Sequence, residues 1–147
     1  MTTPQKAKGS KQKGQNTDRS CHLTGLIGEA RFIEFASTRG WELYRGFDGH
    51  CRCDYVVDDQ GVMTGGLFRV EVKRVESEQS TKGNYYYTTV TKLRTSRFDF
   101  LFVSTLAGDY LIPSSDCPKN TVSIKVVGGE YKRNITAPVK YEVYRVA

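Results

Sequence analysis

No stretch of this chain reaches the ~18 consecutive apolar residues that a membrane-spanning helix needs, which argues against an integral helical membrane protein. The first residues carry no apolar core of the kind a secretory signal requires, so a cytoplasmic protein without a membrane partner is expected. No internal repeat is visible, which leaves a packed domain and not a repeat array. Cysteine is sparse and poorly spaced for metal. Cys51-Arg52-Cys53 is tighter than the Cys-x₂₋₄-Cys of zinc sites. Cys21, His22, His50 and Cys117 supply no second clean pair. The four cysteines are therefore expected as thiols, neither bridged nor bound to zinc.

What is present fits one domain. The chain has 147 residues and a 38% hydrophobic content that includes nine Tyr and seven Phe, side chains that each bury a large area. The net charge of +6 favours an acidic partner. Residues 1–20 hold Lys6, Lys8, Lys11, Lys13 and Arg19 against Asp18 alone, leaving 17 basic and 15 acidic residues for the rest. That Lys-, Gln-, Gly- and Ser-rich stretch reads as a disordered basic tail, either merely solvated or a phosphate-binding arm. Residues 21–147 read as the folded domain.

Over residues 23–38 apolar side chains recur at helical spacing: Leu23, Leu26, Ile27, Ala30 and Ile33, widened by Phe32, Phe35 and Ala36. Thr17 or Thr24 would cap this helix and Gly40 would end it. Strands are expected over 41–45, 53–58, 67–75, 85–91, 98–105, 109–113, 121–127 and 141–146, with a helical turn over 92–97. Asp59-Gln60-Gly61, Gly65-Gly66 and Ala107-Gly108 supply turns. The fold class is α/β of the α+β kind, one N-terminal helix before a mixed β-sheet meander.

Two strands carry the chemistry. One reads Cys53-Asp54-Tyr55-Val56-Val57, the other Phe68-Arg69-Val70-Glu71-Val72-Lys73. Side chains alternate along a strand, so Glu71 and Lys73 share one face while Val70 and Val72 share the other. Two carboxylates beside a lysine would hold Mg²⁺, a hard ion that takes one or two carboxylates, waters and phosphate oxygens. Hydrolysis of a phosphodiester requires that set. A solvated strand with an ordinary Glu71–Lys73 pair is the plain alternative. Glu29 adds a third carboxylate at the edge of the helix's apolar face, a costly place unless it has a partner.

The order of helix Glu, strand Asp and strand Glu-x-Lys resembles the PD-(D/E)xK nuclease superfamily. Within it the sequence is similar to small group I intron homing endonucleases and archaeal Holliday-junction resolvases. The resemblance rests on Leu26-Ile27-Gly28-Glu29-Ala30, Arg39-Gly40-Trp41-Glu42-Leu43, the run from Asp48 to Val57, Phe68 to Lys73, Phe98 to Val103, and Tyr110 to Pro113. Cys53 stands where the family name has Pro, which supplies no ligand. The resemblance implies a restriction-endonuclease-like core and a metal-dependent DNA endonuclease. It implies Mg²⁺, with Mn²⁺ as substitute, on Asp54, Glu71 and the Val72 carbonyl, with Glu29 binding directly or through water. Lys73 would orient or help deprotonate the attacking water, and cleavage would leave a 5′-phosphate. Homing and junction-resolving targets stay open.

Basic residues near these strands are candidates for the DNA backbone: Arg45, Arg52, Arg74, Lys82, Lys92, Arg94 and Arg97, interleaved with Tyr85-Tyr86-Tyr87. His50 is an alternative general base. A non-catalytic nucleic-acid-binding module and an RNA-processing nuclease remain as alternative functions. A small subunit cuts one strand per site, so a homo-oligomer, dimer or tetramer, is expected.

Overall fold

The computed structural model describes residues 16–47, 51–76, 79–81, 85–90, 93–106, 108–126 and 141–146. Lys82, Lys92, His50 and most of the basic tail lie outside these residues. Helix α1 spans Asn16–Ser37, so the last five residues of the stretch read as a disordered tail are helical. It ends on Gly40 at φ +70°, where Trp41 N–H donates to the Ala36 carbonyl and Gly40 N–H to that of Ser37. That pairing of bonds is a Schellman closure, and a left-handed backbone at its centre suits glycine.

Among the described residues eight strands follow: β1 (Glu42–Arg45), β2 (Tyr55–Asp58), β3 (Leu67–Val75), β4 (Gln79–Thr81), β5 (Tyr85–Val90), β6 (Phe100–Thr105), β7 (Asp109–Pro113) and β8 (Val122–Val126). Five of them form a mixed sheet in the order β1-β2-β3-β6-β7, and β4-β5-β8 form a second, antiparallel one. Strands β1 to β3 are the expected meander. Beyond β3 the chain leaves for β4 and β5 and returns as β6, parallel to β3. The segment 141–146, expected as a strand, is a 3₁₀ turn over Glu142–Tyr144 with one bridge from Arg145 to Tyr110. Its Tyr and Val favour a strand, but no full strand partner is offered to it among the described residues.

The main sheet has a core on each face. On the α1 side, Phe32, Phe35 and Ala36 pack with Trp41, Tyr55, Val57, Phe68, Val70, Val72, Phe102 and Leu111. On the other, Leu101, Val103, Tyr110 and Ile112 pack with Leu93, Phe98, Val122 and Tyr141. The helix turns a different stripe inward from the one its spacing favoured. Gly28, Phe32, Phe35 and Ala36 are buried, whereas Leu23, Leu26, Ile27 and Ile33 remain 43–52% exposed. The cause is bulk and clearance. The two phenylalanines offer the larger apolar area, and Gly28 lets the helix settle onto β3.

Polar bonds lock this packing. Arg31 of α1 meets the buried Asp109 at 2.9 Å. Ser104 Oγ donates to Asp109 at 2.7 Å and accepts from Arg74 Nη1 at 2.8 Å. The β2–β3 loop is held by Asp59, whose carboxylate accepts backbone N–H bonds from Gly61, Met63 and Thr64. Desolvation works against ionisation of Asp59, and these bonds outweigh it and lower its pKa.

A Cβ on Gly28 would lie 2.8 Å from Arg74 Cβ and 3.4 Å from its backbone nitrogen, while one on Gly25 would meet nothing within 4 Å. The two glycines of one helix should therefore respond with opposite sign. Gly25→Ala is expected to stabilise by up to ~1 kcal/mol through helix propensity. Gly28→Ala is expected to destabilise by about 1–3 kcal/mol through overpacking. Urea unfolding measures both, and equal stability of Gly28→Ala and the parent would refute the close approach.

Candidate active site

Strand β3 lies between β2 and β6, and its alternation sorts its side chains. Val70 and Val72 enter the α1-side core, while Glu71 and Lys73 take the opposite face, level with Leu101 and Val103 of β6. Lys73 Nζ sits 2.5 Å from Glu71 Oε1, both side chains partly exposed. The β2–β3 ladder ends at the pair Tyr55↔Val70. Asp54 continues it by two other bonds. Its N–H donates to the Val70 carbonyl at 3.1 Å, and its Oδ2 accepts the Val72 N–H at 2.7 Å. Val72 thus lies past the last β2 partner, with Asp54's carboxylate where a strand would stand. Asp54 precedes β2 instead of opening it.

Glu29 is engaged by Tyr55 and Arg45. Tyr55 O–H donates to Glu29 Oε2 at 3.1 Å, and Arg45 Nη1 lies 3.0 Å from the same oxygen. This is the partner that a carboxylate at an apolar edge requires. Burial, then the Glu29 charge and hydrogen bond, push Tyr55 up to about 12, so its hydroxyl stays a donor at neutral pH. Among the described residues no group of three His, Cys, Asp or Glu side chains is gathered closely enough to hold a metal ion. The acidic ledge is therefore Asp54, Glu71 and the Val72 backbone. Hard oxygen donors of this kind suit Mg²⁺ or Mn²⁺, and Mg²⁺ sites are completed by waters and phosphate oxygens, not by all-protein cages.

Beside the ledge, Arg52, Glu71, Arg94, Arg97 and Phe98 line a cavity of about 150 Å³. A 3₁₀ turn over Thr95–Arg97, with Arg94 at its N-cap, holds the last two arginines. Its mount is firm: Leu93 and Phe98 are buried at either end. Arg69 grips Asp99 through two side-chain bonds, Nε to Oδ2 at 3.1 Å and Nη2 to Oδ1 at 2.9 Å. The Arg69 N–H donates to Asp99 Oδ2 at 2.7 Å. The Arg69 side-chain bonds, against some desolvation, lower the pKa of Asp99.

The sequence-derived candidates divide accordingly. Asp54, Glu71, Lys73, Arg52, Arg94 and Arg97 lie on the outer face and its rim. Arg74 faces the other way: one residue out of phase with Lys73, it spends its guanidinium on Ser104, the Thr105 carbonyl and Glu76. Arg45 faces α1 and neutralises Glu29. Neither is placed as a free phosphate contact. None of the four cysteines is in a disulfide, and burial raises the pKa of the Cys53 and Cys117 thiols, Cys117 to about 11. The reading by sequence missed Tyr55 and the Arg69–Asp99 pair. A Tyr directly after Asp54, and an Asp next to an apolar strand, were the available signals.

No protein-family model and no curated protein matches this sequence. Among solved structures, the bacterial homing endonuclease I-Ssp6803I matches with a TM-score of 0.60 at 20% identity, covering 84% of this chain and 86% of that one. The chain has the fold of that endonuclease: one N-terminal helix followed by a five-stranded mixed sheet.

Asp99 carries a pH test. Its folded pKa is depressed, so its contribution is present above the unfolded value of ~3.9 and is lost as pH falls below that value toward the folded one. Asp99→Asn should cost on the order of 1 kcal/mol at pH 7, modest because the pair is half exposed. The gap to the parent should narrow below pH ~4. Urea unfolding at both pH values decides, and a gap independent of pH would show that the Asp99 charge does not contribute.

Proposed function

We propose that this chain is a divalent-metal-dependent DNA endonuclease of the homing type, hydrolysing phosphodiester bonds with Mg²⁺ and accepting Mn²⁺. The carrying observation is the Asp54 carboxylate fastened to the Val72 N–H beside the Glu71–Lys73 pair, on a fold shared with a homing endonuclease. Asp54, Glu71 and the Val72 carbonyl would hold the cation, which supplies Lewis-acid neutralisation of phosphate charge and a more acidic water. Lys73 stands next to Glu71, where an ammonium offsets charge building on the phosphate and orients the attacking water. Glu29 acts at one remove, through Tyr55 and Arg45, as a brace of the strand that follows Asp54. The basic outer rim favours DNA as the partner.

Cleavage of supercoiled plasmid and of a four-way junction, with Mg²⁺, Mn²⁺ or EDTA, tests this proposal. Metal-dependent cutting is expected, reduced at least ~100-fold in Asp54→Ala, Glu71→Ala and Lys73→Ala with unchanged circular dichroism. Equal cutting by all three variants would sink the site. Binding without cutting on either DNA would favour a non-catalytic module, and preferential cutting of the RNA version an RNA-processing nuclease.

A single site cuts one strand, so double-strand cleavage requires two copies. The outward stripe Leu23, Leu26, Ile27, Ala30 and Ile33 runs along a helix ~33 Å long. An exposed apolar row of this kind marks an interaction surface, and a second copy of the chain is the occupant proposed. Light scattering should give a dimer or tetramer, and Leu26→Glu with Ile27→Glu should lower the mass by at least half. A parent that is monomeric at tens of micromolar would overturn this.

A further inference from the structure

The arginines whose side chains are described fall into two groups. Arg31, Arg45, Arg69, Arg74 and Arg145 each pair with a carboxylate. Arg39 lies over the Phe35 ring and donates to the Phe35 carbonyl. Arg52, Arg94 and Arg97 have no such partner among the described residues, and these three line one cavity. Arg94, the residue before the 3₁₀ turn, and Arg97, its last, bracket that turn, and both line the cavity. Arg97 N–H donates to the Arg94 carbonyl at 2.9 Å and closes that turn. Like charges gathered around one cavity on a firm mount repel one another unless an anion joins them.

We infer that this pocket binds a phosphate monoester dianion, and that in the proposed reaction it captures the 5′-phosphate of the cut strand. Charge chooses the ligand. Among the described lining residues, three guanidiniums and the Glu71 carboxylate sum to a charge of +2. A backbone diester carries one negative charge, whereas a terminal monoester carries about −1.5 to −2 at pH 7. Arginine forks bind such oxygens in bidentate fashion. In hydrolysis, water oxygen joins phosphorus, the P–O3′ bond breaks, one water proton ends on the 3′ oxygen and the other is released to solvent as the monoester ionises, leaving a 5′-phosphate that bears more charge than the diester did. That added charge arises beside Glu71, at the wall of the pocket. The role in cleavage rests on the endonuclease reading above; the preference for a monoester does not.

The test is binding of the full chain, by fluorescence anisotropy in EDTA, to short duplexes identical except for a 5′-phosphate or a 5′-hydroxyl at a recessed or nicked end. The phosphorylated duplex should bind about tenfold tighter, and inorganic phosphate should erase the difference. In Arg94→Ala/Arg97→Ala the difference should collapse, and Arg97→Lys should restore part of it. Equal affinity for the two duplexes overturns the inference, as does a preference that survives in the double variant. The preference without metal-dependent cutting would keep the pocket and fail the endonuclease reading. Cutting without the preference would do the reverse.

Discussion

The placement of β3 between an antiparallel and a parallel neighbour is the constraint on which the rest depends. One face of that strand feeds Phe68, Val70 and Val72 into an aromatic core with Phe32, Phe35 and Trp41. Each such side chain contributes ~1.5–3 kcal/mol on full burial. A slip of one residue would exchange them for Arg69, Glu71 and Lys73 and would bury charge, a cost far above what any single contact returns. The core therefore fixes the face of Glu71 and Lys73 more firmly than any bond these two make. Asp54 is positioned from the same strand, since both bonds that hold it go to the β3 backbone, at Val70 and Val72.

Electrostatics on the two faces of β3 do different work. On the α1 side, Arg74, Ser104, Asp109 and Arg31 form one continuous polar chain across the helix–sheet seam. Its members leave no charge alone in a partly buried place, where an unpaired one would be expensive. Most of the paired arginines are structural in this sense. On the outer face the pairing is incomplete. Among the described residues Glu71 pairs with Lys73 alone, and the three arginines of the cavity have no carboxylate in an ion pair. Groups left without local partners on a rigid surface are the ones available to a ligand.

Parity explains much of what was legible in the sequence. The alternation from Phe68 to Lys73 gave the strand, its faces and the acid–lysine pair. Carried one residue further, the same rule places Arg74 on the inner face, whereas nearness to Glu71 along the chain made it look like a DNA contact. The helix was harder. Residues 23–36 are apolar on more than one side, and spacing alone does not say which stripe meets the sheet. That choice was made by Phe32 and Phe35 and by the clearance at Gly28. The partners of Glu29, Tyr55 and Arg45, were not legible because they sit 26 and 16 residues away along the chain. The parallel return of β6 and the separate β4-β5-β8 sheet had no local signal, since both depend on pairing between distant segments.

The acidic ledge and the arginine cavity are built on different segments, yet one connection sets their spacing. Arg69 lies on β3 two residues before Glu71 and grips Asp99, which stands two residues after Arg97. Its Nη1 also reaches the Ser96 carbonyl, inside the 3₁₀ turn itself. The strand that carries the acids therefore holds the turn that carries the arginines. Work on a phosphate requires acids and bases placed to within about 0.5 Å, a tolerance that a free loop of exposed arginines would not keep. A fork of two charge-assisted bonds fixes direction as well as distance. With Leu93 and Phe98 buried at either end of the turn, the arginines keep freedom only in their own side chains. The Arg69–Asp99 pair adds little to global stability as a half-exposed ion pair. Its effect is on geometry: it makes two oppositely charged surfaces into one site.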